Sequence, residues 1–295
     1  MKVKLSFTCG WSVILIFMKP VLLQFGPVTI YSMGVFLFLA LIFGGFVVYK
    51  KGKEYHFEIE EMFDVIFASL FWALIGGRIS YIVLNFEKFG TSFLRWLWLT
   101  HYVGINMWGA LVGAILFFVI WSKSNDKKVY KWLDVMSLGF MLGLTIGMIG
   151  ALFNGSFVGV GSSLPIAFYQ VGVGRVIPVQ ILAFLLFGGV FWWLMVTERK
   201  YRTFEWYRAG KTEAKSGFIF YASLIFIGLI FLVLAKLRAN QEWFMPALSL
   251  LVGLVGLYRR SGREWKEDVQ ALGGDKEKIE EIDSQIRSRW QRLKS

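Results

Sequence analysis

Cysteine and histidine are nearly missing from this chain. One cysteine, Cys9, in 295 residues excludes a disulfide framework. The two histidines, His56 and His101, stand in no metal-ligand spacing, so neither a metal nor a cofactor is expected. HExxH, GxSxG and a glycine-rich phosphate loop are all missing. Charge is sparse too: 18% of residues are Asp, Glu, Lys or Arg, where a soluble domain carries about 25%. A soluble enzyme, a disulfide scaffold and a disordered chain are therefore set aside.

What fills the space is apolar. Hydrophobic residues make up 56% of the chain, with 29 Phe and 13 Trp, and the mean hydropathy is +0.57. The charges are bunched, and between them run apolar stretches of about 20 residues, the length that crosses a bilayer. The reading is an all-α polytopic membrane protein with seven transmembrane helices. They fall at roughly 30–49, 62–84, 105–121, 132–153, 178–197, 217–237 and 243–258. Basic residues follow alternate spans: Lys50, Lys51 and Lys53; Lys123, Lys127, Lys128 and Lys131; and a set from Arg199 to Lys215. Counting the tail after residue 258, 23 of the 32 Lys and Arg fall on one side. Short basic loops stay in the cytoplasm, which predicts an N-out, C-in arrangement. The net charge of +12 is then a topology signal with some attraction to anionic lipid, and no nucleic-acid partner is expected.

Three regions follow. Residues 1–29 are an N-terminal interfacial segment, with Met18 an alternative start; 30–258 are the membrane domain; 259–295 are a cytoplasmic tail. Within the tail Ile279, Ile282, Ile286, Trp290 and Leu293 make one apolar stripe, predicting an amphipathic helix over about 275–293. Residues 85–104, rich in Trp and Phe, suit a strip in the outer interface. Residues 154–177, with Gly155, Gly159, Gly161, Gly172 and Gly174, read as a mobile periplasmic loop. The short link from Arg238 to Glu242 makes the last two spans antiparallel neighbours.

Polar residues inside apolar runs are costly and need a reason. Arg78, in LIGGRISY, lies about two turns from the outer end of the second span, behind Gly76 and Gly77. Two readings stand: a fixed cation for a lipid phosphate, or an arginine that snorkels outward and pairs structurally. Arg175 and Arg238 could add to a phosphate site, though Arg238 also reads as an interface anchor. Asn154, Gln180 and Asn106 fall near the same outer face, and Tyr81 lies one turn beyond Arg78. Gly143, Gly147 and Gly150 read as a face for close helix packing.

The ordered motifs from about Phe25 to Pro246 resemble the prolipoprotein diacylglyceryl transferases, a bacterial inner-membrane family. FGPVTIYSMG (25–34) is similar to the family's opening GP-x-x-I-x-x-YG. LIGGRISYIV (74–83) resembles its G-[GA]-R-x-x-Y segment, and NMWGALVG (106–113) its FHGGLIG-type run. Residues 132–159 lie over LD…GRIGNFINGExxG, and RVIPVQIL (175–182) over RHPxQLYE. GFIFYASLIFIG (217–228) and QEWFMP (241–246) follow its closing pattern. Matching positions keep Arg78, Tyr81, Asp134, Asn154, Gly155, Gly159, Pro165, Pro178, Gln180 and Arg238.

Other polar family positions are apolar here. Met33 stands for a Tyr, Trp108 for a His, Met148 for an Arg and Ala151 for an Asn; Phe231 and Ala235 stand for Arg and Glu. Ser156 replaces a Glu, Val176-Ile177 an Arg-His and Leu182-Ala183 a Tyr-Glu. Each lost charge-stabilising donor is a matter of roughly 2.7–4 kcal/mol in the transition state.

The resemblance implies transfer of a diacylglyceryl group from phosphatidylglycerol to the lipobox cysteine thiol of a prolipoprotein. Arg78, Asn154 and Gln180 would bind the lipid, aided by Tyr81, Arg175, Arg238 and Asn106. The prolipoprotein signal peptide would enter under the glycine-rich loop, and His101 is a candidate substitute for the lost histidine. A non-catalytic lipid- or protein-binding relative is the alternative. A small-solute transporter lacks the paired midplane charges and repeats that class shows.

Overall fold

The computed structural model describes residues 20–25, 28–90, 95–96, 104–124, 129–164, 167–170, 174–202, 216–238 and 243–261. The predicted tail helix and Cys9 lie outside them. Seven long helices appear among the described residues: α1 (Ser32–Glu54), α2 (Ile59–Leu84), α3 (Met107–Ser124), α4 (Val129–Asn154), α5 (Val179–Arg202), α6 (Phe218–Leu237) and α7 (Phe244–Ser261). Six of them, α1 to α6, are long and apolar enough to cross a membrane. The chain is thus a helical, multi-pass membrane protein. α7 carries Arg259 and Arg260 in its last turn and is not among the six.

α4 and α6 form the centre. Half of α4's most apolar window is buried and 61% of α6's, against 22–28% for the other four. The remaining helices expose broad apolar faces, such as Phe38, Phe67, Phe71 and Trp192, which suit lipid rather than water. α1 crosses α4 where Gly44 meets Gly139: a Cβ on Gly44 would lie 2.8 Å from the Gly139 carbonyl oxygen. The close crossing is therefore at Gly139 rather than Gly143 or Gly147. Gly150, as expected, faces a neighbour, with the Phe36 side chain against it. α2 meets α3 in the same way, a Cβ on Gly76 falling 2.6 Å from the Gly109 carbonyl. α6 and α7 run antiparallel, Gly228 facing Pro246 while Gly253 faces Ile225, as the short link predicts.

Two corrections concern segments outside the helices. The first helix starts at Ser32 because Val28–Tyr31 pairs antiparallel with Val21–Phe25, and Ser32 N–H donates to the Pro20 carbonyl at 2.9 Å. The glycine-rich loop is not an open one. Phe168–Gln170 pairs with Gly174–Val176, Ser162 N–H donates to the Arg175 carbonyl, and Val160 N–H reaches the Leu237 carbonyl at 2.8 Å. Backbone groups near hydrocarbon must be satisfied, and a small β cap does so where a bare loop would not.

The opposite end is tied by charge. Lys51 near the end of α1 and Glu198 in the last turns of α5 pair at 2.5 Å, at 2% and 3% exposure. Glu54 is the second partner of Lys51, at 2.9 Å. Asp134, near the start of α4, accepts from Gly217 N–H at 2.5 Å and Phe220 N–H at 2.8 Å. It caps α6 from another helix, because α6 has no side-chain cap of its own and Gly217 enters at φ 103°. Arg260 at the end of α7 donates to the Ser216 carbonyl at 2.8 Å. Helix ends that alternate in chain direction thus share one face.

Asp134→Ala leaves two amides of α6 without their acceptor and is expected to cost about 2–3 kcal/mol. Thermal unfolding in detergent checks this; an unchanged midpoint would contradict the cap. Glu198→Ala, which strands a buried ammonium with Glu54 alone, is expected to cost about 3 kcal/mol, and the Lys51→Met/Glu198→Leu pair to recover most of it. A double variant less stable than the single one would contradict this.

Candidate functional site

Arg78 sits two turns before the C-terminal end of α2 and is buried to 9% exposure. Its Nε donates to the Trp96 carbonyl at 3.0 Å and its Nη1 to the Gly104 carbonyl at 3.1 Å. The Phe89 ring lies 5.1 Å from the guanidinium carbon. Trp96 Nε1 donates in turn to the Gly90 carbonyl at 3.1 Å. Arg78 therefore ties Trp96 and Gly104 of the aromatic strip to α2. A guanidinium with five N–H donors can clamp carbonyls without a carboxylate partner. Tyr81 packs its ring on Gly104 and sits edge-on to Phe89 at 5.9 Å.

Asn106 belongs to this group as a helix cap. Its Oδ1 accepts from Gly109 N–H at 3.1 Å, the third residue of α3, and its own N–H donates to the Gly77 carbonyl at 3.0 Å. The glycines at 76 and 77 are what permit that approach. Its amide serves the fold here.

A second group lies at the end of α4, the start of α5 and the end of α6. Gly155, at φ 70°, closes α4: Ser156 N–H returns to the Ala151 carbonyl and Gly155 N–H to that of Leu152. Asn154, the last residue of α4, is exposed. Gln180, in the first turn of α5 after Pro178, is 1% exposed, and its Nε2 donates to the Ser156 carbonyl at 2.7 Å. Its Oε1 is buried with no hydrogen-bond partner among the described residues. Arg238 follows α6, its backbone bridged to Gly159 and its guanidinium carbon 3.9 Å from the Phe157 ring centre. Arg175 is exposed on the β cap opposite Tyr169. The structure thus brings Gln180 and Arg238 together around one turn, with Arg78, Tyr81 and Asn106 in a separate group. His101 and Pro165 lie outside the described residues.

Between the groups stands an aromatic wall. Phe231 meets Trp108 at 5.5 Å, Phe187 at 5.4 Å and Phe157 at 6.1 Å. Met148, Phe231 and Ala183 share one buried cluster, against which Trp108, Leu182 and Ile177 pack. Ala151 and Ala235 are buried too, at 4% and 6% exposure. The apolar replacements at positions 108, 148, 182, 183 and 231 are thus one another's neighbours, and Met33 lies against Gly150 nearby. An unpaired charge returned to this wall would carry a desolvation cost of several kcal/mol.

One residue escaped sequence reasoning. Phe157 has φ 63°, a left-handed backbone that a bulky side chain adopts only under constraint. Its neighbour Gly155 signals a turn, but nothing in the sequence says that the turn continues through a phenylalanine.

A family model described as prolipoprotein diacylglyceryl transferase matches residues 20–260. The chain is 29% identical over 148 residues to the phosphatidylglycerol–prolipoprotein diacylglyceryl transferase of Thermus thermophilus, covering 50% of this chain and 53% of that protein. The enzyme of the same name from Fusobacterium nucleatum is 30% identical over 148 residues, covering 50% and 51%. That of Caldanaerobacter subterraneus is 20% identical over 169 residues, covering 57% and 65%. The chain spans about half the length of the first two relatives and just under two thirds of the third. With its match running from the first hairpin to the last helix, the chain belongs to the prolipoprotein diacylglyceryl transferase family.

Proposed function

We propose that this chain moves a diacylglyceryl group from phosphatidylglycerol to the lipobox cysteine thiol of a prolipoprotein, at the outer face of a bacterial inner membrane. In this reading α7 is a seventh span and the N-terminus faces out, which sets the basic helix ends at Lys51, Arg259 and Arg260 in the cytoplasm. The observation that carries the reading is Arg238 held over Phe157 beside Gln180, in a chain whose family match runs through all three. A guanidinium at that depth suits the phosphate diester of the donor lipid. Asn154 and Arg175, exposed on the rim, face arriving headgroup and peptide.

The transfer is a displacement. The cysteine sulfur of the signal peptide attacks the glyceryl carbon that bears the phosphate ester. A C–S bond forms, the C–O bond breaks, and glycerol phosphate leaves with the electron pair. The thiol proton goes to a base, for which His101, the histidine on the outer side in this topology, is the candidate. The thiolate is the reactive form, and its free pKa lies above neutrality.

A second reading rests on the wall of Trp108, Phe187 and Phe231: a relative that holds lipid without turning it over. Incubation with phosphatidylglycerol labelled in its acyl chains and a lipobox peptide separates the two. The proposal expects a labelled thioether peptide; retained lipid with no thioether supports the second reading instead. Arg78→Ala, which frees the strip, is expected to lower both the melting temperature and the lipid retained, whereas Arg238→Ala lowers retained lipid with little change in melting. Equal melting losses in the two variants would contradict these separate roles.

A further inference from the structure

As the structure stands, no lipid reaches Gln180. Its side chain is 1% exposed, and the turn that follows α4 is bonded to it. Nε2 donates to the Ser156 carbonyl at 2.7 Å, while Oε1 is buried with no hydrogen-bond partner among the described residues. A buried acceptor left without a donor lowers stability, so an amide set in this way needs a reason. The residue after Ser156 carries a second cost. Phe157 has φ 63°, a left-handed backbone that a bulky side chain holds only when its surroundings impose it.

Both costs fall on one short segment with a glycine at each end. Gly155 turns the chain out of α4 at φ 70°. Gly159 packs so closely that a Cβ there would strike the Ile177 carbonyl oxygen. Beyond it Val160 N–H donates to the Leu237 carbonyl at 2.8 Å, and Ile177 N–H to the Val160 carbonyl at 3.2 Å. Closed by these contacts, the segment sets the Phe157 ring 6.1 Å from Phe231, which is itself 4% exposed in the buried cluster with Met148, Ala183 and Phe187.

We propose that residues 155–160 form a lid latched by Gln180: it swings away from Phe231 to admit a lipid, and the Gln180 amide then accepts from a hydroxyl of the headgroup. Opening about Gly155 releases both costs together, since Phe157 returns to negative φ and Oε1 gains a donor. A phosphodiester offers only acceptors, so the donor stands elsewhere on the headgroup, as the glycerol hydroxyls of phosphatidylglycerol do. This rests on the lipid-binding reading above. It adds the lid, and the headgroup feature that Gln180 reads.

The test uses the purified full chain, stripped of lipid in detergent and offered vesicles, with uptake measured by extraction and mass spectrometry. Val160→Cys and Leu237→Cys, in a Cys9→Ala background, place a disulfide where the lid meets the end of α6. The oxidised pair is expected to take up at least tenfold less phosphatidylglycerol than the same protein after reductant, while Val160→Cys alone does not respond to reductant. The second arm compares phosphatidylglycerol with phosphatidylpropanol, an anion of the same charge without a headgroup hydroxyl. The wild type is expected to prefer phosphatidylglycerol about tenfold, the scale of one hydrogen bond, and Gln180→Leu to take up the two alike. Equal uptake by the oxidised and reduced pair, or a pair that does not oxidise, overturns the lid. A wild type indifferent to the hydroxyl, or a Gln180→Leu variant that keeps the preference, overturns the role of the amide while the lipid site stands. If the wild type takes up neither lipid, the lipid-binding reading itself is wrong, and this proposal falls with it.

Discussion

Where a helix begins or ends at the edge of hydrocarbon, its unsatisfied amides and carbonyls have no water to turn to, and this bundle is organised around meeting that demand. Asp134 caps α6 from α4, Asn106 caps α3, Gly155 folds the end of α4 back on itself, and Arg78 takes up two carbonyls of the aromatic strip. Gln180 does the same for the turn after α4. Each of these polar residues reads in the sequence as a misplaced charge or amide. In the structure each is an answer to a neighbour's backbone.

That economy changes how the site is understood. Arg78 and Asn106 are engaged with the protein's own main chain, so the structural pairing weighed for Arg78 is what the geometry contains. In the other group the Arg238 guanidinium lies over the Phe157 ring. Behind it Trp108, Phe157 and Phe187 pack around the ring of Phe231. Because these replacements touch one another, the interior has changed as a unit: one aromatic residue there makes its neighbours' charges costly.

Much of the fold was legible because membrane helices announce themselves by length and hydropathy. Helices fall on all seven predicted apolar runs, and α6 and α7 do run together antiparallel across the short link from Arg238 to Glu242. Gly76 and Gly77 were readable as a close approach, since only small residues let two backbones meet. The Gly44–Gly139 crossing was not, because glycine spacing within one helix does not say which neighbour it meets. The β cap over residues 154–177 was missed for a similar reason. Glycines mark a turn, but they do not announce the short pairing of Phe168–Gln170 with Gly174–Val176, nor the bonds that tie Gly159 and Val160 to Arg238 and Leu237, far away in sequence. In the site, the hydrogen bonds that engage Asn106 and Gln180 with the main chain, and the backbone of Phe157, come only from tertiary contacts.

We propose that this family member, with its apolar interior, still carries out the family's transfer. Expression of this chain in a strain depleted of its own prolipoprotein diacylglyceryl transferase tests it most directly. Restored growth, with lipidated prolipoprotein on a mobility gel, is the predicted result. Accumulation of unlipidated precursor despite normal membrane insertion would contradict it.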